Sequence, residues 1–281
     1  MREAVGMTEV VPGVEVANPA APRGRFRFAL FDFDGTLSLI REGWQGVMIP
    51  YFVEEILKAP KHESSEQVET VVRDFVERLN GKQTIYQCFQ LAEEISNRGG
   101  RPKEALEYKH EYLARLWERI EHRVAGLESG AIQADSMLLR GSRSFLEALQ
   151  SRGLTLYLAS GTDLQYVDDE AKALQIDHFF RPHIYAALDK YKDFSKQMVI
   201  ERLLRENGLN GPELLVIGDG YVEIENGKAA GGFALGVASD EAIPGGLDEW
   251  KRRRLLNAGA DAIIRDFSQP TRLVSYLFPD E

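Results

Sequence analysis

The sequence contains a single cysteine, Cys88, among its 281 residues. One thiol excludes an intrachain disulfide framework and a zinc site built from several cysteines. Membrane signals are also missing. No apolar run approaches the roughly 20 residues that a transmembrane helix needs, and the first 25 residues include Glu3, Glu9 and Glu15 without a secretory hydrophobic segment. We therefore expect a cytoplasmic protein with no membrane association, in which Cys88 is a small apolar core residue.

The sequence also lacks an excess of positive charge. The chain has 34 Lys and Arg against 44 Asp and Glu, a formal net charge of −10. That balance argues against a nucleic-acid-binding surface. Small anionic substrates stay open, because a local site can be positive on an acidic protein. The short basic run Lys251–Arg254 is predicted to be a solvated helix face rather than a binding patch.

What the sequence does contain is an alternation of strand and helix patterns. Short apolar runs that each end in polar or glycine residues predict strands buried on both faces; these runs are Phe26–Phe31, Leu154–Ala159, Leu214–Ile217, Phe233–Ala238 and Ala262–Ile264. Helical spacing between them occurs at Ser142–Arg152, Ser195–Asn207 and Val222–Ala230. The alternation predicts an α/β fold with right-handed βαβ units and a doubly wound parallel sheet.

Residues 41–140 have a different pattern, helical throughout and without a convincing strand. The helical segments are Trp44–Leu57, Val68–Leu79, Thr84–Ile95 and Ala105–Val124. We predict an N-terminal extension at 1–25, an α/β core made of 26–40 and 141–281, and an all-helical insertion at 41–140 that covers the catalytic edge. The alternative is an insertion that only elaborates the fold and never touches substrate.

The most informative stretch is Asp32-Phe33-Asp34-Gly35-Thr36, which directly follows the first apolar run. In α/β proteins the catalytic crevice lies at the carboxyl ends of the parallel strands. Two acids placed there can bind a hard cation, and one can attack phosphorus. The structural alternative is an ordinary turn at a strand end, because Asp and Gly are common turn residues.

Two later segments also end apolar runs. Ser160-Gly161-Thr162 offers a hydroxyl and backbone N–H groups that can hold phosphate oxygens, with a glycine that permits close approach. The alternative is a strand-to-helix turn with a Ser or Thr cap. Gly218-Asp219-Gly220 places another carboxylate at a strand end, with Glu223 four residues beyond Asp219.

These segments, in this order and with a downstream lysine, resemble the four motifs of the haloacid dehalogenase superfamily. The resemblance covers roughly half of the chain. It implies a Rossmann-like core, and the helical insertion resembles the C1-type cap of the subclass that includes phosphoglycolate phosphatase and β-phosphoglucomutase.

The resemblance also implies roles for the acids. Asp32 would be the nucleophile that forms an aspartyl phosphate, and Asp34 the acid that protonates the leaving alcohol and then activates water. Magnesium is the implied cofactor, held by Asp32, Asp219 and the backbone carbonyl of Asp34. Glu223 departs from the Asp that the family often has; it would reach the metal through water or pair with a lysine, and a plain helix-start carboxylate is the alternative.

A positive charge is needed to offset the nucleophile and the phosphate. Lys190, Lys192 and Lys196 all precede or open the same helix. Family spacing favours Lys196 as the catalytic lysine, and a solvated surface lysine is the alternative for each. Ser160 and Gly161 are the expected phosphate-binding residues.

Substrate choice is expected to depend on the insertion. Arg41 follows the first motif closely, and Lys82 lies in a polar turn between two predicted helices. Either could bind sugar hydroxyls or a second anion, and solvent-exposed hinge and loop residues are an equal alternative.

The leading functional interpretation is a magnesium-dependent phosphoric monoester hydrolase acting on a small phosphorylated metabolite, with sugar phosphates considered first. A phosphomutase would use the same intermediate, but Thr36 stands where mutases of this superfamily often have Val. A non-catalytic binding protein on the same scaffold is the third interpretation. The sequence does not predict an oligomeric state.

Overall fold

The predicted doubly wound α/β fold is confirmed by the computed structural model, which describes residues 12–208 and 210–279. Within that part of the chain, seven strands form one sheet in the order β1-β9-β6-β5-β2-β3-β4, all parallel except β1. The strands of this sheet are β1 (Glu15–Val16), β2 (Phe28–Phe31), β3 (Thr155–Asp163), β4 (Ile184–Ala187), β5 (Leu214–Gly218), β6 (Phe233–Val237) and β9 (Ala262–Ile264). A separate hairpin contains β7 (Ser239–Asp240) and β8 (Gly246–Leu247).

All of the predicted apolar runs form strands of this sheet, whereas β1, β4, β7 and β8 were missed. β4 is an apolar four-residue edge strand with two buried residues, and it was not recognised in the sequence. β1 lies inside the predicted N-terminal extension and pairs antiparallel with β9. Residues 1–11 of that extension lie outside the described residues.

The central strand β2 shows why the sheet needs helices on both faces. All four of its residues are buried. Ala29 and Phe31 pack with Leu158 and Ile217 on one face, whereas Phe28 and Leu30 face the opposite cluster. A strand that is apolar on both sides is stable only when both sides are covered.

The helices supply that cover. In chain order they are α1 (Gln45–Ile56), α2 (Ser65–Leu79), α3 (Thr84–Asn97), α4 (Ala105–Glu128), α5 (Ser142–Ser151), α6 (Leu164–Ala173), α7 (Asp177–Phe180), α8 (Lys196–Asn207), α9 (Tyr221–Ala229), α10 (Glu249–Asn257) and α11 (Pro270–Leu277). No helix among the described residues is both long enough and apolar enough to cross a membrane.

Helices α1 to α4 occupy the chain between β2 and β3, and we call them the helical insertion. They pack on one another around a shared apolar interior in which Phe52 and Phe75 stack at 5.9 Å. The helical pattern predicted for 41–140 is therefore present, with α2 starting at Ser65, three residues earlier than expected. Its start is a capping box between Ser64 and Gln67. Cys88 is fully buried here, and burial raises the pKa of its thiol to about 12.

Polar contacts hold the helical insertion against the carboxyl edge of the sheet. The Lys109 ammonium on α4 lies 2.6 Å from Asp163 at the end of β3. The turn between α2 and α3 is held at two points: Gln83 donates to the carbonyl of Phe194 at 2.7 Å, and Arg254 on α10 donates to the carbonyl of Arg78 at 2.8 Å. The insertion and the sheet therefore enclose the space above the strand ends.

Candidate active site

The first two predicted acids stand where β2 ends and the chain turns. The backbone N–H of Asp32 still bonds to the neighbouring strand, at 2.9 Å from the carbonyl of Ile217, and the turn closes through the N–H of Gly35 to the carbonyl of Ser38. Gly35 has a positive φ of 72°, and a Cβ there would lie 2.5 Å from Oδ2 of Asp219. Glycine is thus required both by the backbone conformation and by a carboxylate packed against it.

Asp32 is joined to a buried lysine. Nζ of Lys196, at the start of α8, lies 2.8 Å from Oδ1 of Asp32 and 2.9 Å from Oε2 of Glu223. Burial raises the pKa of Asp32 well above its usual value, with the Lys196 charge opposing that shift. Burial also disfavours the Lys196 charge, but the two carboxylates outweigh it and raise the pKa of this lysine, which is therefore a cation. The structure brings Lys196 to the site, whereas Lys192 is exposed.

Glu223 has two partners within the chain. Besides Lys196, it accepts the backbone N–H of Gly220 at 2.6 Å and so caps the first turn of α9. The longer side chain that departs from the family pattern is fully buried, with 1% exposure. Of the three possibilities that the sequence left open for it, the structure shows two, the pair with a lysine and the carboxylate at a helix start.

Asp34 contacts the predicted phosphate-binding segment. Its Oδ2 accepts the hydroxyl of Thr162 at 2.9 Å and, at a longer 3.4 Å, that of Ser160. Its Oδ1 is buried without a hydrogen-bond partner among the described residues, and Nε of Arg41 lies 3.8 Å away. The Asp34 carboxylate is thus fixed through Oδ2, while Oδ1 faces the guanidinium of Arg41. The Thr162 contact was not predicted from the sequence.

Arg41 is held mainly by a residue that the sequence did not point to. Its guanidinium forms a fork with Glu170 on α6, at 2.7 and 3.0 Å from Oε1. Both side chains are buried. A guanidinium bound in this way keeps its charge beside Asp34, but much of its hydrogen-bonding capacity is already used within the chain.

The expectation of a solvated basic face at Lys251–Arg254 is wrong, because only Arg253 is exposed, Arg252 and Arg254 are half-buried, and Lys251 is buried. Lys251 is 7% exposed, and its Nζ lies 2.8 Å from Oδ2 of Asp219 and 2.7 Å from Oε1 of Glu241. Glu241 was also missed. The available signal was position: Glu241 and Lys251 follow the predicted strand Phe233–Ala238, whose carboxyl end reaches the same edge as the other motifs.

The carboxylates form one group that could hold a metal ion. Among the described residues, Asp32, Asp219 and Glu223 each offer an oxygen, and these oxygens lie within 4.8 Å of one another. Hard oxygen donors are what Mg²⁺ prefers. The side chain of Asp34 is not part of this group, so a contribution from Asp34 would come through its backbone carbonyl, as the sequence prediction had it.

A cavity of about 410 Å³ opens between the helical insertion and the sheet edge. Its floor includes the predicted residues Asp32, Asp34, Ser160, Gly161, Lys196 and Asp219. Its roof comes from the insertion and from the chain leading into it, and includes Arg41, Trp44, Gln45, Asn80, Lys82, Thr84 and Gln87. Both predicted specificity residues therefore line this cavity, and so does Trp250 of α10.

Gly161 lies where the insertion meets the floor. A Cβ on this residue would lie 2.9 Å from the carbonyl oxygen of Lys82. The group that closely approaches this glycine is thus part of the chain itself, namely the turn between α2 and α3. Any larger residue at this position would push the roof away from the floor.

This arrangement defines a class of protein, and comparison with known sequences agrees. A family model for haloacid dehalogenase-like hydrolases matches residues 26–231, and the chain belongs to that family. A 5'-nucleotidase of Pseudomonas aeruginosa is 30% identical over 139 residues, which are 46% of this chain and 60% of that relative. The chain thus spans less than two thirds of the curated relative that it matches.

Solved structures give the same fold. A predicted phosphoglycolate phosphatase from Haemophilus somnus 129PT has a TM-score of 0.57 at 17% identity, covering 89% of this chain and 98% of that one. A β-phosphoglucomutase from Clostridium difficile has a TM-score of 0.57 at 14% identity, covering 91% and 98%. At these identities the likeness concerns the fold alone.

Proposed function

We propose that the chain is a magnesium-dependent phosphatase that hydrolyses a small phosphorylated metabolite through an aspartyl phosphate on Asp32. The observation that carries the proposal is the convergence at one sheet edge of Asp32, its partner Lys196 and the carboxylate of Asp219, all of which line one cavity. Phosphoryl transfer depends on positioning and on charge compensation, and both are supported by these contacts.

In the first step, an oxygen of Asp32 attacks phosphorus and the P–O bond to the leaving alcohol breaks. Asp34 gives its proton to that oxygen as the alcohol departs. Lys196 lies 2.8 Å from Asp32 and offsets negative charge that builds up as the phosphoryl group arrives. The hydroxyl of Thr162, 2.9 Å from Asp34, holds the acid in place during the transfer.

In the second step, Asp34 removes a proton from water, and the resulting hydroxide attacks phosphorus. The bond to Asp32 breaks, which regenerates the carboxylate and releases inorganic phosphate. The buried Oδ1 of Asp34, which lacks a hydrogen-bond partner among the described residues, supports this exchange of one proton in each direction.

Asp32 and Asp219, with Glu223 behind them, are the residues that would hold the cation. Magnesium, when bound, would neutralise the carboxylates and the phosphoryl oxygens as charge shifts between them. The chain's own residues fit such an ion because their oxygens already lie within 4.8 Å of one another. The ammonium of Lys196 bridges Asp32 and Glu223 and keeps these two acids together.

The cavity supports a small substrate. A volume of about 410 Å³ lies in the range of ordinary small-molecule sites and accommodates a sugar phosphate or a nucleoside monophosphate, whereas a polymer would not fit under the roof. Sugar phosphates are the first class to test. The 5'-nucleotidase relative adds nucleoside monophosphates as the second. Lys82 on the roof is the residue we assign to the distal part of the substrate.

The test is a screen of phosphate release from sugar phosphates and nucleoside monophosphates, each with Mg²⁺ and with EDTA. Activity that survives removal of divalent ions would count against the cation site. With a hexose 1-phosphate, free phosphate supports hydrolysis, whereas hexose 6-phosphate would mean a mutase. If no compound of either class is hydrolysed or isomerised, the phosphatase proposal fails and the interpretation as a non-catalytic binding protein replaces it.

A further inference from the structure

The second buried lysine of the site, Lys251, has no part in the steps above. It belongs to α10, far along the chain from the acids that it contacts, and only 7% of it is exposed. Its ammonium bridges Oδ2 of Asp219 at 2.8 Å and Oε1 of Glu241 at 2.7 Å. Both carboxylates also approach Gly35 closely, so all three groups adjoin the turn that carries Asp32 and Asp34.

We propose that the ammonium of Lys251 competes with the divalent cation for Asp219, and that Glu241 moderates this competition by holding the same ammonium. Lys251 is thus a positioning residue that sets how tightly the site binds its metal ion. The inference rests on the cation site of the proposed function, and it adds a determinant of that site's affinity.

The competition follows from the shared carboxylate. A divalent ion on Asp219 would bind a carboxylate whose Oδ2 already lies 2.8 Å from an ammonium, whichever of the two oxygens the ion uses. Like charges repel strongly at such separations in a buried site.

Glu241 acts in the opposite direction. It is a second acceptor for Lys251, at a slightly shorter distance than Asp219, and its negative charge lies close to the cation site. Its loss would leave Asp219 as the main partner of the ammonium and would remove one negative charge from the site. Lys196 forms an analogous pair with Asp32 and Glu223, so each aspartate of the cluster carries one ammonium that is shared with one glutamate.

The prediction concerns opposite changes in metal affinity. Titration of the metal-free full chain with Mn²⁺, followed by electron paramagnetic resonance of the free ion, should give a dissociation constant at least about tenfold lower for Lys251→Met than for the unmodified chain. Glu241→Gln should raise the constant by a similar factor. The double variant removes one charge of each sign and should lie between the two. Lys251→Arg keeps the charge and should change the constant least.

A purely structural role would disturb the site in both single variants and weaken Mn²⁺ binding in both. That result, or a constant unchanged within twofold in Lys251→Met, would overturn the inference. If Lys251→Met does not fold, the Glu241→Gln variant decides, since tighter or unchanged binding there contradicts the competition. If the unmodified chain binds no Mn²⁺, the cation site itself is refuted, and with it the proposed function. If it binds Mn²⁺ equally well with and without Lys251, only the present inference is refuted.

Discussion

The floor and the roof of the cavity are built in different ways. The floor combines acids at strand ends with lysines on α8 and α10, and these charges are paired at short distances, as in Lys196 with Asp32 and Lys251 with Asp219, both at 2.8 Å. The roof is mixed: Arg41 is buried and paired with Glu170, Trp44 is half-buried, and Lys82 is exposed. We therefore expect the floor, whose charges are fixed in place, to carry the reaction, and the exposed part of the roof to contact the variable part of the substrate.

The largest effect is expected on the floor at the nucleophile. Asp32→Asn retains the shape of the side chain but removes the attacking charge, so turnover should fall by at least about 10⁴-fold, as for other covalent nucleophiles. Phosphate release from p-nitrophenyl phosphate measures the loss, and circular dichroism should show an unchanged fold. Turnover close to that of the unmodified protein, after deamidation has been excluded by mass spectrometry, would contradict the role of Asp32.

Lys196→Met should affect both activity and stability. Its removal leaves the carboxylates of Asp32 and Glu223 buried without their cation, which should cost roughly 3–5 kcal/mol of unfolding free energy. Chemical denaturation measures this change. Lys192→Met is the matched control, because Lys192 is exposed and precedes the same helix. Equal losses in the two variants would mean that the buried ion pairs contribute little to the stability of the floor.

The floor was also the more predictable of the two regions. The motif acids could be placed from the sequence because each directly follows an apolar run, and parallel strands bring their carboxyl ends to one edge. Lys196 was assigned by its spacing before Asp219, and the structure puts it beside Asp32. Their catalytic roles stay predictions.

The partners that arise from tertiary packing could not be predicted in this way. Glu170 meets Arg41 from a helix 129 residues further along the chain, and Lys251 meets Asp219 from a basic run that looks like an ordinary surface helix. A pairing of this kind depends on which helix faces land on the strand ends, and neither apolar periodicity nor a short motif reports that.

On the roof, Lys82→Ala should weaken substrate binding more than it slows chemistry. We expect KM to rise about five- to tenfold with kcat changed less than twofold, because the exposed side chain lines the cavity from the roof and has no ion-pair partner among the described residues. Steady-state kinetics with the best substrate of the screen tests this. Lys61→Ala removes an exposed lysine outside the cavity lining and should leave both constants unchanged. A drop in kcat alone would contradict this assignment and would mean that Lys82 acts in the chemical step rather than in substrate binding.

The smallest effect should appear where floor and roof are joined. Arg254 on α10 donates to backbone carbonyls at the end of α2, including that of Arg78 at 2.8 Å, and so ties the helical insertion to the core. Arg254→Ala removes these hydrogen bonds, whose net contribution is about 0.5–1.5 kcal/mol because water can replace a half-buried guanidinium at the carbonyls. We therefore expect the insertion to open locally more often, while the fold and the floor stay intact.

Cys88 provides the measurement, because it is the only cysteine in the chain and is fully buried in α3. With its pKa raised to about 12 by burial, the thiol is un-ionised at pH 8 and should react with a disulfide reagent only when the insertion opens. Arg254→Ala should speed this labelling about three- to tenfold. Arg253→Ala, an exposed neighbour on the same helix, should not. Equal labelling in both would show that the roof is held by its apolar packing and that the Arg254 contacts do not limit its opening.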